Sequence, residues 1–167
     1  AAAAQVLRDQ VRPLLPRLRQ QHAALTLAGN AGTLRRRRLH EEFEKFSQQL
    51  PQLAGAFRQT AVHLQTGEEI KGLQVFQEAV SELQAFIALL QEVQRLGETD
   101  FTTTVFEDKS LAQWVQDFLE NLKSIVDTFG NRDYVLLADL LEYEMAPRLE
   151  RWQRILAVLK PTLPRAE

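Results

Sequence analysis

The stretch Leu111-Ala112-Gln113-Trp114-Val115-Gln116-Asp117-Phe118-Leu119-Glu120-Asn121-Leu122-Lys123-Ser124-Ile125-Val126-Asp127-Thr128-Phe129 decides the fold. Its apolar residues Leu111, Val115, Phe118, Leu122, Ile125 and Phe129 recur at alternating steps of four and three. A strand would repeat every two residues. This rhythm instead places one continuous stripe along an α-helix that packs against other helices. Ser110 and Gln113 stand where a capping box would open that helix.

The same rhythm returns on both sides. Leu73, Phe76, Val80, Leu83, Ile87 and Leu90 form one stripe, and Ala79, Phe86 and Val93 add a second beside it. Two apolar faces predict either a central helix or a contact with another molecule. Earlier in the chain, Leu39, Phe43, Phe46, Leu50, Leu53, Phe57 and Leu64 keep their register straight through Pro51. That predicts one long helix kinked at proline, not two helices. Thr66 and Glu69 have capping-box spacing for the helix that follows. A first segment, from about Gln5 to Leu27, carries Leu7, Val11, Leu14, Leu18 and Leu25, with Pro13 and Pro16 inside it. The last segment is expected to start near Asn131 or Arg132 and run to about Lys160 through Pro147. Between the third and fourth segments, Phe101-Thr102-Thr103-Thr104-Val105-Phe106 reads as an extended strap, since β-branched and aromatic residues favour extended backbone. A lone strap has no partner strand, so no sheet is expected.

These elements predict an all-α antiparallel helical bundle of about five long helices, two of them kinked at proline. It should form a single domain over residues 1–167, with 1–4 and 161–167 as irregular tails. Hydrophobic residues make up 45% of the chain, enough to fill one core. A formal net charge of −2 argues against a dedicated nucleic-acid binder, which usually carries a basic excess. No apolar run approaches the roughly 18 residues of a membrane span. Cysteine is absent. That excludes disulfides and thiolate chemistry and suits a cytoplasmic setting.

Catalytic signatures are missing. His22, His40 and His63 form no pair with ligand spacing, and the paired Glu-x-x-His motifs of di-iron bundles do not occur. The sequence therefore predicts no metal and no cofactor. No phosphate-binding glycine loop and no nucleophile elbow are present, so no catalytic residue is assigned.

Two polar constellations stand out. In Leu136-Leu137-Ala138-Asp139-Leu140-Leu141-Glu142-Tyr143-Glu144-Met145-Ala146-Pro147, Glu144 interrupts an apolar face. Arg148 lies four residues on, in the favourable orientation for an ion pair. Pro147 has no N–H, so the carbonyl of Tyr143 loses its helical donor. Asp139, Glu142, Tyr143, Glu144 and Arg148 are thus the candidate notch for a partner or ligand. The second constellation is Arg35-Arg36-Arg37-Arg38, a candidate anion contact. At about 100° per residue these four arginines surround the helix, and Arg37 and Arg38 can pair with Glu41 and Glu42 one turn on.

The motif Leu-Ala-Asp-Leu-Leu-Glu-Tyr-Glu-x-x-Pro, Leu137 to Pro147, resembles one found in small uncharacterised all-helical proteins of Gram-positive bacteria. That resemblance covers about the last forty residues and implies no activity. In size and helical layout alone the chain is also similar to flagellar export chaperones. The sequence thus leads to a non-enzymatic cytoplasmic bundle that binds another protein, or a second copy of itself, through a helical groove or apolar face. The alternatives are a small-ligand binder or enzyme at the Asp139/Tyr143/Glu144/Arg148 notch, and an anionic partner on Arg35–Arg38.

Overall fold

The structure, a computed structural model, describes residues 31–96 and 98–165. The expected first segment, the 1–4 tail and His22 lie outside the described residues. Helix α1 spans Ala31–Gln65 and α2 spans Glu69–Arg95. Helix α3 spans Leu111–Gly130. A composite fourth helix joins α4 (Tyr134–Asp139), a π-helical turn (Leu140–Met145) and α5 (Ala146–Leu159). Among the described residues the fold is all-α, with four helices; the first of the five expected segments falls outside them.

The repeated seam explains the packing. One ring from each helix meets at the centre: Phe46 of α1, Phe86 of α2, Phe118 of α3 and Trp152 of α5. Phe86 lies 5.6 Å from Phe46, 6.0 Å from Phe118 and 5.8 Å from Trp152, centre to centre. The last two contacts are edge-to-face, the geometry that the charge distribution of aromatic rings favours. A second ring group, Phe57, Phe76 and Phe129, closes the end of the bundle where α1 turns into α2 and α3 turns into α4. Both stripes of α2 are buried, including Ala79, Phe86 and Val93. The double stripe faces the core, where Phe86 meets a ring from each of the other helices.

Pro51 does not interrupt α1. A proline inside a helix leaves the carbonyl four residues earlier without a donor. Here that carbonyl belongs to Ser47, and the Gln153 side-chain amide on α5 donates to it at 3.2 Å. Tertiary packing thus supplies the bond that the proline removed.

Pro147 is accommodated differently. The preceding turn widens, and the Ala146 N–H donates to the Leu141 carbonyl five residues back. A π turn adds a residue to the helical cycle and relieves the clash of the proline ring with the carbonyl four residues before it. The inward stripe then runs Leu137, Leu141, Met145, Leu149, Trp152, with every member buried. Glu144 does not interrupt this stripe. Met145 takes the inward place, and Glu144 is exposed.

Three smaller expectations are corrected. The 101–106 strap does find a partner: Val105–Phe106 (β1) pairs antiparallel with Lys109–Ser110 (β2) in a two-residue-per-strand hairpin. Glu107 takes a left-handed φ of 54° at its turn. Thr66 and Glu69 do not form a capping box. The Thr66 hydroxyl donates to the Val62 carbonyl instead, and α2 has no side-chain cap. The last helical run starts at Tyr134, not at Asn131 or Arg132. Arg132 adopts a left-handed φ of 57°, and the Asp133 carboxylate caps the Leu136 N–H. By contrast, the Ser110–Gln113 capping box forms in full.

The chain beyond α5 is docked against the bundle. A 3₁₀ turn at Lys160–Thr162 leads to buried Leu163 and Pro164. The Pro164 carbonyl lies 2.7 Å from His40 Nε2 on α1, so the chain stays against the bundle as far as Pro164. Among the described residues no helix is long and apolar enough to cross a membrane.

Candidate functional site

The polar face of α3 carries Trp114, Asp117, Asn121 and Ser124 at steps of three, four and three. That is the stripe adjoining the apolar seam. Opposite it, the π turn and the start of α5 present Tyr143, Glu144, Pro147, Arg148 and Arg151. Together with Lys109 and Glu120, these residues line an open cleft of about 600 Å³. Its size lies within the range of small-molecule sites.

One hydrogen bond crosses the cleft: the Asn121 Nδ2 amide donates to Glu144 Oε2 at 2.8 Å. Asn121 is 4% exposed, on a helix whose other inward residues are mostly apolar. Its Oδ1 is buried and meets no donor. Arg148 Nε is likewise buried and meets no acceptor. A buried polar atom left unpaired costs about 1–3 kcal/mol, and native folds tolerate few of them. Of the three such atoms among the described residues, two lie on facing walls of this cleft, beside a π turn, and the third, Gln49 Oε1, belongs to a residue lining the groove between α1 and α2. Such turns recur at functional sites.

The expected Glu144–Arg148 ion pair is not formed. Asn121 holds the Glu144 carboxylate from across the cleft, and among the described residues Arg148 meets no carboxylate. Arg151 meets none either; its guanidinium lies 5.2 Å from the centre of the Trp114 ring. Lys109 approaches the same ring at 4.8 Å and pairs with Asp117 at 2.6 Å. The Trp114 indole N–H donates to the Phe106 carbonyl, which ties the ring to the hairpin. Trp114 is thus buried, with cations over its ring at the cleft wall.

The other expected notch residues separate. Asp139 is exposed at the end of α4 and does not line the cleft. Glu142 points toward α1, where Gln65 Nε2 donates to it at 3.4 Å. The structure therefore brings together Tyr143, Glu144 and Arg148 and leaves Asp139 and Glu142 outside. Lys109, Trp114, Asp117, Asn121 and Arg151 complete the site. The sequence signal for the α3 residues was the buried asparagine beside Leu122, a polar residue inside the margin of an apolar stripe.

The arginine run forms no common basic face. Arg35 Nε lies 3.9 Å from Glu92 on α2. Glu42 pairs with Lys45 and not with Arg38. Arg37 and Arg38 are exposed and do not reach Glu41 or Glu42. A separate groove of about 560 Å³ lies between α1 and α2, lined in part by Phe46, Gln49, Leu53, Ala56 and Val75. Among the described residues no three His, Asp or Glu side chains gather as a metal-ligating group.

A family described as a domain of unknown function, DUF8042, matches residues 41–155. The match spans more than half of the chain, and the chain belongs to this family. The matched span includes every cleft residue and begins after the arginine run. No curated protein and no solved structure gives a significant match.

Proposed function

We propose that this protein is a binding module that takes a polar ligand in the cleft between α3 and the π turn. The observation that carries this reading is the pair of orphaned polar atoms, Asn121 Oδ1 and Arg148 Nε, on the cleft walls. Folding alone would favour apolar side chains at both positions. An occupant that brings a donor to Asn121 and an acceptor to Arg148 recovers the lost bonds.

Binding is favoured over catalysis by the neighbours. His40 and His63 are engaged elsewhere, with Pro164 and Glu68. No described histidine stands beside Ser124 or Tyr143 to act as a base. A cytoplasmic setting fits the absence of cysteine.

A protein partner, or a second copy of the chain, is the second reading. It rests on the bundle end closed by Phe57, Phe76 and Phe129, where Ile70 and Val135 are 77% and 78% exposed and Leu136 is also exposed.

The two readings separate in one experiment. The full chain is titrated with a panel of polar small molecules, including inorganic phosphate, amino acids and amines, and followed by ¹H–¹⁵N NMR. The cleft reading expects shifts at the Asn121 side-chain amide and the Arg148 Nε–H, lost in Arg148→Met. No shift at either group with any member of the panel would overturn it. The partner reading expects concentration-dependent broadening at Val135 and Leu136 instead.

A further inference from the structure

The charges of the cleft are unpaired in a particular way. Lys109 and Asp117 neutralise each other. The remaining two carboxylates, Glu120 and Glu144, accept hydrogen bonds only from the neutral amides of Gln116 and Asn121. The remaining two guanidiniums, Arg148 and Arg151, meet no carboxylate. Among the described residues, two anions and two cations therefore line one cleft without forming an ion pair. Glu144 and Arg148 have the spacing that usually makes an ion pair, so their separation needs a cause. Asn121 holds Glu144 on the α3 side, and the widened turn shifts Glu144 relative to Arg148.

We propose that the cleft binds a zwitterionic ligand, an ammonium and a carboxylate on one small skeleton, as in a free amino acid or a short peptide. This rests on the cleft being the binding site, as argued above. The ammonium sits against Glu144 and donates to Asn121 Oδ1, the orphaned acceptor. The carboxylate sits on Arg148 and Arg151, one helical turn apart on α5, and gives Arg148 Nε its missing acceptor. Both orphaned atoms are shielded from solvent, so binding includes a rotation of the Asn121 and Arg148 side chains at the wall. Charged hydrogen bonds at both ends of the ligand provide its orientation. A simple anion would leave Glu144 without a cation and Asn121 Oδ1 without a donor. A simple amine would leave both arginines without an acceptor.

The test uses the full chain and four sets of probes: the free amino acids, tripeptides with both termini free, the same compounds N-acetylated, and the same compounds amidated at the carboxylate. Binding is read by calorimetry and by the NMR signals of the Asn121 amide and the Arg148 Nε–H. At least one unblocked compound is expected to bind. Blocking either end should weaken it at least tenfold, and Arg148→Met and Glu144→Gln should each do the same with circular dichroism unchanged. Preference for free amino acids over tripeptides identifies a metabolite as ligand; the reverse identifies a peptide. If blocked and unblocked compounds bind equally, the zwitterion proposal fails while the polar cleft stands. If inorganic phosphate binds at the cleft and no unblocked compound does, the proposal fails in the same way. If no unblocked compound binds, it fails outright.

Discussion

Two prolines sit deep inside two long helices, and the protein handles them in opposite ways. Pro51 leaves the Ser47 carbonyl without its helical donor, and Gln153 from a neighbouring helix supplies one. Helix α1 runs on with its register intact. Pro147 is met by a π turn, and two buried polar atoms across from each other stay unpaired nearby. The first solution gives the freed carbonyl a donor from a neighbouring helix, although Gln49 Oε1, two residues away, is buried without a partner. The second leaves an open account at a concave, charged surface. The same residue type in the same helical setting is thus served by a side-chain donor in one place and by a widened turn at the wall of a polar cleft in the other.

The widened turn gives the largest test of this contrast. It places Met145 in the core, fully buried, and turns Glu144 out. Met145→Ala should cost about 2–5 kcal/mol, measured by chemical denaturation, as buried truncations do. A loss below about 0.5 kcal/mol would mean that the π register is not the one adopted in solution.

The Pro51 side comes next. Gln153→Leu removes the donor that serves Ser47 and leaves a half-buried carbonyl unpaired. The expected loss is about 1–3 kcal/mol. In a Pro51→Ala background the helix recovers its own N–H, so the same substitution should cost clearly less. Equal losses in both backgrounds would show that Gln153 does not compensate the proline.

At the cleft, Glu144→Gln should change stability by no more than about 0.5 kcal/mol, because the side chain is exposed and can still accept from Asn121.

The smallest effect is in acid. The carboxyls of Glu44, Glu68 and Glu150 are held below the ordinary carboxylate range, chiefly by hydrogen bonds from Lys160, Lys71 and Arg58 respectively. A folded-state value below the unfolded one gives stability that is fully present above about pH 4.3, the usual glutamate value. That stability is lost as the pH falls through the lowered folded values. All three pairs lie at the surface, so the loss should be shallow and reduced by salt. A denaturation midpoint that rises on acidification from pH 5 to 3 would contradict this.

The fold was legible because packing imposes a period on the sequence. The seam from Leu111 to Phe129 and the double stripe of α2 could be read directly, since burial selects apolar residues at fixed steps. What the period could not show was the π turn. One extra residue in the helical cycle moves Met145 into the place that a regular helix would offer equally to Glu144. The hairpin at Val105–Ser110 was hidden for a related reason: two residue pairs are too short to show alternation. At the site, Tyr143, Glu144 and Arg148 were visible as polar residues near a proline. Asp139 and Glu142 looked equivalent in sequence and fall elsewhere, because the widened turn changes which side each faces. Asn121 and Arg151 come from a different helix and from the next turn, and only packing brings them together.

The central claim is that the cleft beside Pro147 is built for an occupant and not for the fold. Arg148→Met tests it most directly, because it keeps the aliphatic stem and removes the orphaned donor. Chemical denaturation of the unliganded protein should give a midpoint equal to or higher than that of the unmodified chain, since replacing an unpaired buried polar group by an apolar one is neutral or stabilising. A loss as large as that expected for Gln153→Leu, about 1–3 kcal/mol, would show that Arg148 serves the fold and would contradict the account.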